Sequence, residues 1–237
     1  MNNKGKFFVI DGIDGSGKGT QTKMIIQRLI DENFPLAVYD FPQYGKRSCT
    51  MVEDLLNGKF GAIENVSPYQ ASIFYAIDRY EASFNMKKDL LDGKIIISNR
   101  YVSSNQIHQS GKIDDQNELD KFLVWLEELE YGIFKIPKPD KVIFLNMPWQ
   151  IAMELTKNKE ARNYIQGIKK IDKAEESEEH QRRSYNRACS LVKRFDNWKE
   201  ILCINEKNEI KSPEEINEEI YQILKTEILG YKTPKLL

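Results

Sequence analysis

The sequence holds few of the residues that build metal cages or disulfide frameworks: three cysteines and two histidines in 237 residues. Cys49, Cys189 and Cys203 are odd in number, far apart and without metal-ligand spacing. That pattern fits reduced thiols better than a secreted, cross-linked scaffold. Net charge is almost absent, since 35 Lys and Arg face 36 Asp and Glu. Such balance argues against broad electrostatic capture of nucleic acid or an anionic membrane, while leaving room for a small basic pocket. No apolar run approaches the length of a membrane span, and a signal-peptide core is missing from the start. Internal repeats and Pro/Ser-rich linkers are missing too. The expectation is one cytoplasmic domain over residues 1–237, long enough to bury a full core.

What the chain does have is alternation. Short β-branched or aromatic runs at Lys6–Ile10, Leu36–Phe41, Lys94–Ser98, Lys141–Asn146 and Ile201–Asn205 read as strands covered on both faces. Helical patterns lie between them. Lys18–Ile30 is one, Met51–Leu56 ends at Asn57-Gly58, and Tyr69, Ile73, Ala76, Tyr80 and Phe84 recur at helical spacing after Pro68. Strict alternation implies an α/β fold with one parallel five-stranded sheet flanked by helices, and ligands bound beyond the carboxyl ends of its strands. Residues 157–179 break the pattern, being charge-rich and weakly apolar. They read as a solvated loop running into an exposed helix, or as a mobile lid over about 157–175.

The stretch "FFVIDGIDGSGKGTQTK" joins the first strand to the first helix. Gly12-x4-Gly17-Lys18 matches the phosphate-binding loop, in which glycines let successive backbone N–H groups converge on one anion. The helix starting at Lys18 adds its positive end, and the Lys18 ammonium reaches the outer phosphates of a nucleotide. Gly12, Gly15, Ser16, Gly17, Lys18, Gly19 and Thr20 are therefore the expected ATP-binding residues. The usual hydroxyl residue after the lysine is Gly19 here, so a Mg²⁺-ligating hydroxyl must come from Thr20, Ser16 or water.

Further segments make the chain resemble the thymidylate kinases, a family of P-loop nucleoside monophosphate kinases, over most of its length. "DFPQYGKRS" is similar to the family's Phe-Pro segment, and "FYAIDRYEA" to the helix that holds the base. "IIISNRYVSSNQIHQ" is similar to the stretch that closes the third strand, and "IPKPDKVIFL" to the Pro-x-Pro-Asp strand. The resemblance implies a P-loop three-layer fold with a lid, and a dimer built through helices beside the sheet. The activity it implies is Mg²⁺-dependent transfer of the ATP γ-phosphoryl group to dTMP. A kinase for dUMP or a modified pyrimidine monophosphate, and a nucleotide-binding relative with impaired catalysis, are the alternatives.

Tyr75 and Arg79 stand one helical turn apart, so a ring and a guanidinium can approach one ligand together. By resemblance Tyr75 stacks on thymine and Arg79 donates to a base carbonyl. Arg100, after the third strand, grips the monophosphate, and Ser104 and Asn105 read the pyrimidine edge. His108 stands where relatives place Tyr beside the deoxyribose. Phe41 lies in the acceptor site, with a cis bond expected before Pro42, and Lys46 or Arg47 holds the acceptor phosphate. Asp14 lies between donor and acceptor, facing the sugar hydroxyl or an ordered water, with Asp11 behind it. Asn99 takes the place of an aspartate that orients Mg²⁺ through water. One branch of the family carries an arginine at the position of Gly15. Its absence here points to the lid, with Arg162 as the leading catalytic cation and Lys157 or Lys159 behind it.

Overall fold

The computed structural model describes residues 5–61, 65–165 and 178–229, for residues 158–165 and 229 by backbone alone. Five strands, β1 (Lys6–Asp11), β2 (Leu36–Asp40), β3 (Ile95–Asn99), β4 (Lys141–Asn146) and β5 (Trp198–Leu202), form one sheet in the order β2-β3-β1-β4-β5. Every neighbouring pair is parallel. This is the α/β sheet of the expected class, and four strands fall within one residue of their expected limits. The fifth begins three residues earlier than expected. Lys199 and Glu200 interrupt its apolar run in the sequence, but β5 pairs only with β4, and a sheet edge tolerates outward charges.

The helices flank the sheet. They are α1 (Lys18–Asp31), α2 (Thr50–Leu56), α3 (Pro68–Leu91), the single turn α4 (Val102–Ser104), α5 (Gln116–Glu127), α6 (Trp149–Ile165), α7 (Glu178–Val192) and α8 (Pro213–Leu229). α4 runs on through a wide π turn, Asn105–Gln109, and a tight turn, Ser110–Lys112. α5 likewise opens into a π turn, Glu128–Ile133. The segment expected as a solvated loop is helical at its start, because α6 continues to Ile165. The rest of the expected lid, residues 166–175, lies outside the described residues.

Phe7, Phe8, Val9 and Ile10 of β1 are fully buried, each apolar side chain contributing about 1.5–3 kcal/mol. That burial gives the loop at the carboxyl end of β1 a rigid base. α3 starts with Ser67 and Gln70 capping each other and Pro68 in the first turn. Both of its faces mix polar and apolar residues, the buried one holding Ala71, Ala76, Ala82 and Met86 as well as charged groups. Asp78 and Arg79 are buried, while Ile73, Ile77, Tyr80 and Phe84 are exposed. Val52 and Leu55 of α2 instead pack inward, Leu55 joining Val66, Ala71, Phe74 and Tyr75.

Candidate active site

The loop after β1 is closed by its own backbone. Gly12 N–H donates to Asp11 Oδ1 at 2.8 Å and Ser16 N–H to the Ile13 carbonyl at 3.1 Å. Gly17 takes φ 90°, a conformation costly for other residues, and caps α1 with no side chain bonded to the helix end. No acidic residue lies in the first turn of α1. The positive end of the helix is therefore left for an external anion. Lys18 is buried and folded back, its ammonium donating to Ile13 O at 2.8 Å and lying 3.6 Å from Asp14 Oδ1.

Arg100 follows β3 in a left-handed conformation, φ 62°. Such a backbone costs roughly 1–2 kcal/mol for a residue with a side chain and is held here by Arg100 N–H donating to Ile10 O at 3.0 Å. The kink turns the guanidinium onto Asp14, with which it forms an ion pair. A second nitrogen donates to His108 Nε2 at 3.1 Å. Since a guanidinium only donates, Nε2 accepts and the proton sits on Nδ1, 3.2 Å from Ser184 Oγ on α7. Burial works against charge on Asp14, but Arg100, then Lys18, hold its carboxyl far below the usual carboxylate range. For His108, burial and then Arg100 push the imidazole well below its ordinary value. Asp14, Lys18, Arg100 and His108 thus meet in one bay at the carboxyl edge of β1 and β3.

Gly15 explains the missing loop arginine. Its φ is 83°, and a Cβ there would lie 2.0 Å from the Ala152 carbonyl and 2.6 Å from Thr156 Oγ1, both on α6. The helix occupies the space a side chain would need. The backbone of α6 then runs on past Thr156, carrying residue 162 about 9 Å further along the axis. The side chains of Lys159 and Arg162 lie outside the described residues.

The expected acceptor residues sit around α3. The Phe41–Pro42 bond is cis. Gln43 N–H donates to Asp78 Oδ2 at 2.8 Å, Ser48 Oγ to Asp78 Oδ1 at 2.7 Å, and Lys46 Nζ to Gln43 Oε1 at 2.5 Å. Lys46 is thereby tied through Gln43 to the residue next to Arg79, while Arg47, exposed, opens the turn Arg47–Cys49. Tyr75 is half-buried beside Leu55 and Val66. Asn105 Nδ2 donates to the Ser72 carbonyl at 3.2 Å, and the buried Ser72 Oγ has no partner. Ser104 does not face the same way; it donates to Asp11 at 2.9 Å, beside Ser103 at 2.5 Å. Arg79 is buried, its Nε donating to Glu130 at 3.0 Å and its Nη1 to Tyr101 O at 3.3 Å.

The residues fit a hydrated divalent cation. Asn99 Nδ2 donates to Asp40 Oδ1 at 2.8 Å, which leaves Asn99 Oδ1 buried and without a donor. Ser16 Oγ is likewise buried and unpaired, whereas Thr20 is exposed on the first turn of α1. Asp40 restores beside Asn99 the carboxylate that the asparagine lacks. Among the described residues no group of three or more His, Cys, Asp or Glu forms a cage.

Asp40, Asp78 and Glu130 escaped sequence reasoning. For Asp78 a signal existed: an acid on the helix face that also holds Ala71 and Ala82.

A family model described as thymidylate kinase matches residues 10–219. A thymidylate kinase of Mycobacterium tuberculosis is 25% identical over 155 residues, 65% of this chain and 72% of that protein. A probable thymidylate kinase of Pyrococcus abyssi is 27% identical over 236 residues, covering 96% of this chain and 99% of its own. The solved thymidylate kinase structure from Candida albicans superimposes with a TM-score of 0.71 at 19% identity, covering 94% of this chain and 92% of its own, a likeness of fold.

Proposed function

The chain belongs to the thymidylate kinase family, and we propose that it transfers the γ-phosphoryl group of ATP to thymidine monophosphate (dTMP), releasing dTDP and ADP. The observation that carries this reading is the bay itself, where the glycine loop and Lys18 meet the Asp14–Arg100 pair and His108. One side is suited to a triphosphate tail and the other to a monophosphate.

The loop amides and Lys18 hold the β- and γ-phosphates. Arg100, turned into the bay by its pair with Asp14, grips the acceptor phosphate, and Lys46 or Arg47 reaches it as well. Tyr75 stacks on the base, with Arg79 and Asn105 at its polar edge and Phe41 beside it, while Ser104 is held by Asp11. No general base is required, because a phosphate monoester with a second pKa near ~6 is already dianionic at neutral pH. Alignment and positive charge are what the transfer needs. Mg²⁺, when bound, would neutralise phosphate oxygens, with Asn99 and Thr20 or Ser16 oriented toward its waters. Arg162, at the far end of α6, supplies the cation that Gly15 cannot, and closure of residues 157–175 excludes water.

The setting is part of the proposal. Three free thiols, two of them buried, suit the reducing cytoplasm, and no described helix is long and apolar enough to cross a membrane. The exposed apolar face of α3 supports a homodimer.

ADP formation measured with dTMP, dUMP and dCMP, with and without Mg²⁺, tests the reading. Lys18→Ala should lower kcat on the order of 10²–10³-fold with the fold intact; unchanged turnover would reject it. Arg162→Ala should lower kcat far more than dTMP affinity, whereas equal losses in both would make Arg162 a binding residue.

A further inference from the structure

Arg79 is among the largest fully buried side chains of the protein, and Glu130 is shielded from solvent altogether. Glu130 Oε1 accepts from both Nε and Nη2 of the guanidinium, with Oε2 3.2 Å from Nε, and Tyr101 O takes one hydrogen of Nη1. Of the five N–H groups of an arginine, that leaves one on each terminal nitrogen for a ligand. The surroundings suit a flat polar ring. Ser72, Tyr75 and Arg79 share one face of α3, Asn105 is bonded to the Ser72 carbonyl, and the buried Ser72 Oγ lacks a partner.

A buried ion pair is a poor way to stabilise a fold, since an apolar pair of similar volume serves as well or better. It becomes intelligible when the guanidinium has work to do in a dry site. Burying a lone guanidinium is prohibitive. A carboxylate behind it removes that penalty and fixes which of its hydrogens point forward.

We infer that Glu130 is the positioning residue of the base site: it holds Arg79 with two N–H donors presented to the bound pyrimidine. Such a fork accepts a ring edge bearing a carbonyl oxygen and rejects one bearing an amino group, which would leave both donors unpaired. Glu130 then sets selectivity without touching the nucleotide. The inference rests on the proposal that this chain binds dTMP with Arg79 at its base.

Calorimetry of dTMP and dCMP binding to the wild type, Glu130→Gln and Glu130→Asp tests it, with kcat at saturating dTMP measured alongside. Glutamine keeps the volume but loses the charge and sets an amide NH₂ in place of the oxygen that faces Arg79 Nε, so the guanidinium loses its fixed orientation. Glu130→Gln should weaken dTMP about tenfold or more, leave dCMP nearly unchanged and hold kcat within about threefold, the split expected of lost ground-state positioning. Glu130→Asp, which keeps the charge on a shorter arm, should recover part of the dTMP preference. A Gln variant with a lower melting temperature but unchanged dTMP affinity and dTMP-to-dCMP ratio would overturn the inference, as would loss of folding in both variants. Wild-type protein that fails to bind dTMP would overturn the parent reading and this one with it.

Discussion

At the scale of single residues, His108 is held neutral by its burial and its neighbours together. Its two nitrogens are committed to Arg100 and Ser184, its ring stacks on His180 at 5.4 Å, and Asp14 and Lys18 lie close enough to act on it. A proton on Nε2 would face the guanidinium donor, so the folded protein keeps the imidazole neutral. Below the ordinary histidine value near ~6.5, the unfolded chain binds a proton that the folded chain does not. Stability must therefore fall as pH drops, by up to about 1.4 kcal/mol per pH unit for this one group. Urea unfolding between pH 7 and 5 should give a steeper slope for the wild type than for His108→Phe. Parallel slopes would show that His108 titrates alike in both states. Comparing slopes removes whatever constant packing cost the phenylalanine brings.

At the scale of elements, the decisive contact is α6 lying across Gly15. Gly15→Ala should destabilise by several kcal/mol, because a left-handed alanine is strained and its Cβ would overlap the Ala152 carbonyl. Gly19, two residues along the same loop-helix junction from Gly17, has nothing within 4 Å of an added Cβ. Gly19→Ala should be neutral or stabilise by up to about 1 kcal/mol through helix propensity. Thermal melting of the two variants checks the contrast, and equal effects would deny that α6 seats on the loop. Legibility divides along the same line. Four strands and the glycine loop could be read because their signals are local: β-branched runs, glycines at fixed offsets, a lysine opening a helix. β5 was misjudged because two charges on an edge strand look like a break. Asp40 and Glu130 were illegible because their partners are 59 and 51 residues away in sequence, and Asp78, though on a face with alanines, showed no sign of its partner 35 residues away. Glu127, Glu128 and Glu130 look alike on the page, and only tertiary packing decides which one is buried.

At the scale of the whole molecule, α3 is a helix with work on both faces. Inward, Asp78 anchors the loop of Gln43 and Lys46 and Arg79 meets Glu130. Outward, Ile73, Ile77, Tyr80 and Phe84 stand at helical spacing, between 38% and 60% exposed, with Tyr80 edge-on to Phe84 and tilted against Phe134. A contiguous apolar stripe of this kind is unusual on a monomer's surface, and in the proposed homodimer a two-fold axis would let one stripe serve both partners. Sedimentation at micromolar concentration should give twice the chain mass, and Ile77→Glu should return it to the monomer. Because the substituted side chain is already partly solvated, the monomer should stay folded. Its dTMP affinity should fall a few-fold nonetheless, since the helix that carries Arg79 and Asp78 loses its outer support. A wild type that sediments as a monomer would reject this use of the stripe, and a monomeric Ile77→Glu with unchanged dTMP affinity would show that assembly and the acceptor site are independent.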